Sequence, residues 1–415
     1  MCLISFGESS LTEYDVIVVG AGPAGSIAAY ECAKRNLDTI LIEKFVLPRE
    51  KPCGGAVMFR GLKVINGNLP TEIIEQKIYG LKFQIPSSSS TVEFVSDKLI
   101  GITVFRNKFD EFLARRAEDA GVILMEDSRV VSAQVSEHSA CVKLENGADI
   151  RGLFLIGADG VNSVISRSLG LRPKRKDLTR HGLGMESDFY VGEEGVAKGT
   201  DNNPHILSIQ PLKGKLGYGW VFPKREHLAI GIAGPGIDIL PLRPKFYDFC
   251  KHIENQANIE LVPEKLRTFF LGADGLKHKN VLDRVILVGD AAGFVDPMMG
   301  EGIAYAMQSG VFAAQVISDA ISANRHDEQY LSKYHNLCHD VFGSSFGMAE
   351  WAGPQSSVLV DRLLSKINGH PLAAEIMAKV ARGEIGYGDI PATALRLLPR
   401  ELPRLLRSKI RSYIT

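Results

Sequence analysis

Short runs of aliphatic and β-branched residues recur along the chain between glycine-rich turns, and the first of them frames the rest. Asp15 to Lys44 reads DVIVVGAGPAGSIAAYECAKRNLDTILIEK. The uninterrupted apolar run Val16 to Val19 predicts a strand buried on both faces, as in a parallel sheet. Ile27, Ala28, Tyr30, Cys32 and Ala33 then predict a helix that stops at Asn36, and Thr39 to Ile42 a second buried strand ending in Glu43. Between the first strand and the helix stand Gly20, Gly22 and Gly25. In this frame Gly20 permits a tight turn, Gly22 lets a pyrophosphate approach the backbone, and Gly25 lets the helix pack against its strand. The helix N-terminus points its amides at the phosphates, and Glu43 can take both hydroxyls of an adenosine ribose. NAD and FAD share this cradle, so the segment leaves the dinucleotide open.

Further on, Ile78 to Ile85 and Thr91 to Val95 predict two strands joined at Pro86 to Ser90. From Arg106 the period becomes helical, with Phe109, Phe112, Leu113, Ala117 and Ala120 on one face and Gly121 as the stop. Val122 to Met125 is a short strand. Val130 to Val135 and Ala140 to Leu144 form a hairpin that turns at Glu145-Asn146-Gly147 into Asp149 and Ile150, a three-stranded meander. Leu153 to Ile156 is again a buried strand; it runs into Gly157-Ala158-Asp159-Gly160, where Asn162 or Ser163 can cap a following helix. Gly182 to Pro241 is rich in strands and turns, and period-two geometry puts Tyr218, Trp220 and Phe222 on one strand face. Gly231, Gly234 and Gly236 lack a strand-and-helix frame and predict no second dinucleotide site. Val285 to Val288 is the last buried strand, followed by Gly289-Asp290-Ala291-Ala292-Gly293, Pro297 and Gly300-Glu301-Gly302, which opens a helix from Ile303 to about Ala323. That helix N-terminus favours negative charge on a nearby ring. Beyond Asn324 the pattern is helical.

Composition narrows the classes. At 415 residues two or three domains are expected. Apolar residues make up 45% and charged residues 23%, as in a globular protein, and the formal net charge is zero, which argues against a nucleic-acid partner. The first residues carry no signal-peptide pattern, and no run approaches the roughly 18 apolar residues of a membrane span. Cys2, Cys32, Cys53, Cys141, Cys250 and Cys338 show no CxxC or metal-ligand spacing, so they read as reduced thiols of a cytoplasmic protein that holds no metal. Cys53 stands out because it lies in a Pro- and Gly-rich loop just past the second strand, where such sheets bind ligands. Arg106 is awkward at a helix start; pairing with a cofactor phosphate or carboxylate would account for it, and a surface arginine is the alternative. Arg396, Arg400, Arg404, Arg407, Lys409 and Arg411 alternate with leucine and isoleucine around Pro399 and Pro403. Such a tail suits an anionic membrane surface, or a solvated helix packed on its own protein.

Three motifs, GAGPAG at Gly20 to Gly25, GADG at Gly157 to Gly160 and GDAAG at Gly289 to Gly293, resemble those of FAD-dependent oxidoreductases of the para-hydroxybenzoate hydroxylase structural class. Within that class the chain is similar to the geranylgeranyl reductase family. That narrower match rests on Lys51-Pro52-Cys53-Gly54-Gly55 and on Tyr218-x-Trp220-x-Phe222-Pro223, followed by Gly231 and Gly234 at approximately the family's spacing. The resemblance covers about Tyr14 to Gly310. It implies an α/β fold: a Rossmann-like FAD-binding domain with a β-meander (14–60, 101–180 and 281–323), an antiparallel-sheet substrate domain (61–100 and 181–280) and a helical C-terminal region (324–415). By the same resemblance Gly20, Gly22, Gly25 and Glu43 would hold the ADP half of FAD. Arg106 and Asp159 would lie near the pyrophosphate and ribityl regions, Asp290 would hold the ribityl chain, and Gly300 to Gly302 would flank the isoalloxazine. Ala24, Lys44, Cys53, Gly54, Gly55, Gly160, Gly289 and Ile303 complete the implied cofactor-binding set. Tyr218, Trp220 and Cys53 would line a prenyl pocket, with Cys53 close to the reacting alkene.

The implied activity is hydrogenation of C=C bonds in geranylgeranyl chains of a membrane lipid or a diphosphate precursor, by hydride from reduced flavin N5 plus a proton. A thiol is protonated at neutral pH, which makes Cys53 a candidate donor, and the rings of Trp220 or Tyr218 can stabilise a cationic carbon. With one dinucleotide fingerprint, electrons must come from transiently bound NAD(P)H or from a protein donor such as a ferredoxin. The expected location is cytoplasmic and peripheral to a membrane. Two other readings share the scaffold. A flavin monooxygenase or halogenase would, in the latter case, need a pocket lysine such as Lys51 or Lys63; a non-catalytic lipid carrier would keep FAD structurally.

Overall fold

The computed structural model describes residues 13–67, 69–84, 91–171, 182–212, 217–296, 300–352 and 371–397. Its centre is the strand Tyr14–Val19, whose Val16, Ile17 and Val18 are wholly buried. This strand pairs in parallel with Asp149–Gly157 on one side and with Thr39–Ile42 on the other, in the register Val16 to Phe154 and Ile17 to Ile40. An eight-stranded sheet grows from it in the order Val281–Leu282, Val285–Leu287, Asp149–Gly157, Tyr14–Val19, Thr39–Ile42, Ile123–Met125. The meander leaves this path: Ala140–Leu144 pairs with both Asp149–Gly157 and Val130–Val135. One continuous strand, Asp149–Gly157, replaces the two short pieces expected at Asp149 and Leu153. Its first half is antiparallel to the meander and its second half parallel to the central strand, and Gly152 pairs with both Ala140 and Tyr14. A Cβ at Gly152 would lie 2.9 Å from Ile17 Cγ1, so the change of partner needs glycine there.

A seven-stranded sheet, mostly antiparallel, runs in the order Arg267–Leu271, Gly182–Tyr190, His227–Pro235, Tyr218–Pro223, Ile206–Pro211, Gly80–Gln84, Thr91–Val95. Here the sequence expectation needs correction. The stretch read as one strand from Ile78 to Ile85 is divided at Tyr79. Ile74–Ile78 belongs to a separate three-stranded sheet with Gly101–Val104 and Ala56–Met58, whereas Gly80–Gln84 joins the large sheet, parallel to Ile206–Pro211. Alternation continues across the break, so periodicity alone does not register it. Ile85 and the Pro86 to Ser90 turn lie outside the described residues.

The dinucleotide helix Pro23–Ala33 lies against Ile303–Ser322 at very short range, since a Cβ on Gly310 would sit 2.5 Å from the Ala24 carbonyl oxygen. Arg106–Asp119 packs beside them and ends at Ala120 and Gly121, the latter at φ +101. The helix after the GADG segment, Val164–Ser168, is capped by Ser163, whose Oγ accepts from Ser166 N at 2.8 Å. Helices Lys333–Ala352 and Pro371–Ala381 follow Asn324. Arg396 is exposed, and Pro399, Arg400, Pro403, Arg404, Arg407, Lys409 and Arg411 lie outside the described residues, as do Cys2 and Pro297. No helix among the described residues is long and apolar enough to cross a membrane, and no cluster there could hold a metal ion. Five cysteines are free thiols; burial pushes those of Cys32 and Cys250 up to about 12.

Candidate active site

A cavity of about 760 Å³ opens between the eight-stranded and seven-stranded sheets. Its first end is the glycine turn. Gly20 has φ +104, and a Cβ there would stand 2.5 Å from the Ala158 carbonyl oxygen. At Gly25 a Cβ would fall 1.9 Å from the Gly20 carbonyl oxygen, so this glycine serves helix packing and does not line the cavity. Gly22 differs: the nearest atom to an added Cβ is Arg49 Nη2 at 3.6 Å. The backbone at Gly22 therefore faces open cavity, with the amides of Pro23–Ala33 behind it and no side-chain cap on that helix. This is the space and polarity that a pyrophosphate requires.

Glu43 is buried at the end of its strand, where Oε2 accepts from Ala21 N at 2.9 Å and Oε1 from Phe45 N at 3.2 Å. Each oxygen keeps acceptor capacity for a ribose hydroxyl. Beside it Arg49, which the sequence reading passed over, links Glu43 at 3.4 Å to Asp110 at 2.9 Å. Arg106 completes the chain, since its Nε and Nη2 donate to the two oxygens of Asp110 at 2.8 and 2.9 Å. The carboxylate that accounts for an arginine at this helix start is thus the chain's own Asp110, four residues on. Burial works against the Arg106 charge, but Asp110 and the nearby Cys53 thiol outweigh it.

Asp159 Oδ2 accepts from Val164 N and Ile165 N at 2.5 and 3.2 Å, while among the described residues Oδ1 is buried without a hydrogen-bond partner; burial raises its carboxyl against the pull of Ser163 and of those two amides. Asp290 is paired with Lys51 at 3.2 Å. Both line the cavity with Ala24, Lys44, Gly160, Gly302 and Ile303. Gly289 does not: it lies against Ala24 and Ala306, where an added Cβ would stand 2.8 Å from Ala24 Cβ. An orphan carboxylate oxygen, an uncapped helix and an open backbone at Gly22 on one cavity wall fit the ADP and ribityl portions of FAD.

The second end is built by the aromatic strand Tyr218–Pro223. Tyr218, Trp220 and Phe222 all line the cavity, with neighbouring ring centroids 6.1 and 6.2 Å apart. Three glycines make room for them. Gly231 pairs with Trp220 in register, and a Cβ there would lie 2.1 Å from the indole. On Gly54 a Cβ would lie 2.6 Å from Phe222 and 2.8 Å from Trp220; on Gly300, at φ +67, it would lie 2.0 Å from the Tyr218 hydroxyl. Gly55, at φ +78, packs against the Val104 carbonyl. The motif glycines are thus the complement of the aromatic rings. Cys53 lies among them, its Sγ accepting from Gly55 N at 3.4 Å and its own N–H donating to Glu186 Oε1 at 2.6 Å. Glu186, buried in Gly182–Tyr190, is pushed up to about 7 by burial and by Asp188, against the pull of the Cys53 amide, Lys224 and Arg267. Neither lysine considered for halogenation is free at this end: Lys51 is on Asp290, and Lys63 lies outside the lining with its ammonium 5.3 Å from the Phe59 ring.

Arg49, Arg60, Glu186, Glu301 and Tyr387 were not anticipated as site residues. Glu301 sat in a motif, and Arg49 in the loop that the prolines flagged; Glu186 and Tyr387 carry no local signal and become visible only through packing.

Cradle, cavity and donor set together define an FAD-dependent oxidoreductase. A family profile described as FAD binding domain matches residues 13–190. The digeranylgeranylglycerophospholipid reductase of Thermoplasma volcanium is 30% identical over 384 residues, covering 85% of this chain and 90% of that relative. Among solved structures, a geranylgeranyl bacteriochlorophyll reductase-like protein from Thermoplasma acidophilum matches with a TM-score of 0.73 at 25% identity, covering 95% of this chain and 98% of the other. A flavin-dependent brominase reaches the same TM-score at 18% identity, covering 96% and 98%, a likeness of fold. The chain belongs to the geranylgeranyl reductase family.

Two substitutions separate the roles above. Gly22→Ala meets no close atom, so the apoprotein should keep its thermal midpoint while FAD affinity falls at least about tenfold, because the methyl occupies the pyrophosphate approach. Flavin titration checks this, and unchanged affinity contradicts it. Glu186 holds its proton to about pH 7 in the fold, whereas an ordinary glutamate releases it near about 4.3. The folded state therefore binds more protons between these values, and stability falls as pH rises through that window. Glu186→Gln keeps the acceptor for Cys53 N–H, so it should be more stable than wild type above about pH 7, the gap closing towards about pH 4. Urea midpoints across that range test it, and equal midpoints at the alkaline end would refute it.

Proposed function

We propose that the protein hydrogenates C=C bonds in the geranylgeranyl chains of a membrane glycerophospholipid or of a diphosphate precursor. The observation that carries this reading is the continuity of the cavity. Beyond the aromatic strand it is walled by Leu81, Leu207, Ile209, Met377 and Val380, an apolar extension that suits a long hydrocarbon and leads back to the flavin-facing glycines. The names of the family relatives support the same substrate class.

Bound and reduced, FAD supplies a hydride. The chain's residues must supply the rest. An isolated trisubstituted alkene has no carbonyl to spread negative charge, so addition is easier when a proton reaches one carbon early and leaves cationic character on the other. Trp220 and Tyr218 present ring faces to that carbon, worth about 1–2 kcal/mol. Cys53 is one acid in reach of the pocket, and its loop is fixed from behind by Glu186. Among the described residues the indole Nε1 of Trp220 is buried without a hydrogen-bond partner, so shape orients the ring.

Electrons reach the flavin from transiently bound NAD(P)H or from a ferredoxin-like protein, because the sequence carries one dinucleotide fingerprint. Burying a C20 chain from water releases more than about 10 kcal/mol at about 0.8 per carbon. A chain leaving a bilayer is already out of water, so most of that gain is absent. The enzyme then meets its substrate peripherally, at the cytoplasmic membrane face, where the basic tail beginning at Arg396 assists.

The test is anaerobic. Dithionite-reduced protein is mixed with a digeranylgeranyl glycerophospholipid and, separately, with geranylgeranyl diphosphate. Reappearance of oxidised flavin together with a gain of two hydrogens per double bond is expected, and the better substrate identifies the head group. A flavin that ignores both lipids but reoxidises quickly in oxygen contradicts the reading in favour of an oxygenase. Trp220→Leu should retain FAD and lose roughly 5- to 30-fold in turnover, the kinetic equivalent of the ring's contribution; full turnover would remove the ring from the mechanism.

A further inference from the structure

The cavity has a second polar pole that the reading above leaves unused. Glu301 lies between Gly300 and Gly302, ahead of the helix Ile303–Ser322, and lines the cavity. Its Oε2 stands 3.7 Å from Nε of Arg60, which lines the cavity from the helix Phe59–Val64. That separation is too long for a hydrogen bond. Both sides show the result: among the described residues, Glu301 Oε1 and Arg60 Nε are buried with no hydrogen-bond partner. Buried polar atoms are almost always satisfied, so two orphans of opposite charge on one cavity wall call for an explanation in function.

Arg60 is nevertheless held firmly. Its guanidinium lies 4.7 Å from the Tyr305 ring centroid, and Nη2 donates to the Val380 carbonyl at 3.4 Å. The other titratable groups acting around Glu301 are Asp296, Tyr305, whose hydroxyl donates to Asp296 at 3.1 Å, and Tyr387. The Tyr218 hydroxyl packs on the adjoining Gly300. Burial holds the Glu301 carboxyl up to about 7, Arg60 pulling it down and Asp296 pushing it up. An acid of this kind is poised to exchange a proton near neutrality.

We propose that the proton consumed with each hydride at the prenyl double bond is drawn from Glu301, and that Arg60 faces the carboxylate left behind. This rests on the prenyl-reductase reading. The π bond, the Glu301 O–H bond and the hydride's bond to its reduced donor break while two C–H bonds form; both electrons of one new bond arrive with the hydride, leaving the donor oxidised, and the π pair makes the other. The carboxylate regains its proton from water when product leaves. Cys53 then shapes the pocket beside the alkene, with Glu301 as the source.

Glu301→Gln keeps the shape and removes the proton; Glu301→Asp keeps a titrating group. Infrared difference spectra of the holoprotein, wild type against E301Q, should show a protonated carboxylic acid at about pH 6 that becomes a carboxylate at about pH 8. Anaerobic reoxidation of the reduced flavin by the prenyl lipid should slow in wild type as pH rises through about 7. In E301Q it should be at least about 100-fold slower and lose that profile, E301D should recover part of both, and Cys53→Ala should keep the profile. Wild-type rate and profile in E301Q, or a missing acid band in wild type at about pH 6, overturn the assignment. A wild-type flavin that no prenyl lipid reoxidises, with the acid band present, instead overturns the prenyl-reductase reading on which the assignment stands.

Discussion

The close contact between the aromatic strand and the cofactor-side backbone governs this structure. Tyr218, Trp220 and Phe222 can project from the seven-stranded sheet onto the Cys53 loop and the Gly300 turn because side chains are missing at Gly54, Gly231 and Gly300. A methyl at any of the three would fall within 2.6 Å of a ring or a phenol oxygen. Interiors are close-packed, so such an overlap at Gly54 or Gly300 would push the aromatic strand off the cofactor-side backbone, and at Gly231 it would displace the indole within its own sheet. The apolar end and the glycine-turn end form one cavity because these glycines let the aromatic strand and the cofactor-side backbone touch.

Around that contact runs a chain of buried charge. Glu43, Arg49, Asp110 and Arg106 join the end of the second strand to the start of the Arg106 helix, and the Cys53 thiol lies beside Arg106. Removing one partner from a buried pair strands the other in low dielectric. The network therefore fixes the cradle in place before any dinucleotide enters. Glu186 does the corresponding work from the other sheet, since its carboxylate holds the Cys53 amide. The loop carrying Cys53 is thus tied both to the half of the molecule that carries the glycine turn and to the seven-stranded sheet, which holds the two ends of the cavity in a fixed relation.

Much of this was legible in the sequence where local pattern and tertiary role coincide. The strand, glycine turn, helix and second strand from Tyr14 to Ile42 were readable because each glycine there answers a backbone requirement within a few residues. The aromatic face was readable from period two. The division at Tyr79 was not, because alternation runs through it while the chain changes sheets. Arg106 was recognised as needing a phosphate or a carboxylate, yet which one was not readable: the partner is Asp110, one helical turn away. Gly25 was read as the glycine that lets the helix pack, as its contact with the Gly20 carbonyl requires, whereas Gly289 was counted with the cofactor set but lies against Ala24 and Ala306. Glu186 and Arg60 were beyond reach, since their significance arises from groups 133 and 241 residues away: Cys53 for the first, Glu301 for the second.

The central claim is that a prenyl double bond is held against the flavin ring inside this one cavity. A structure of the FAD-loaded protein with a geranylgeranyl lipid bound tests it most directly. The account predicts the alkene between the Gly300 turn and Trp220, beside Cys53, with its nearest carbon in the near-attack range of about 3–3.5 Å from the flavin. A chain seated elsewhere, or an alkene held beyond hydride reach with the aromatic strand unoccupied, would contradict it.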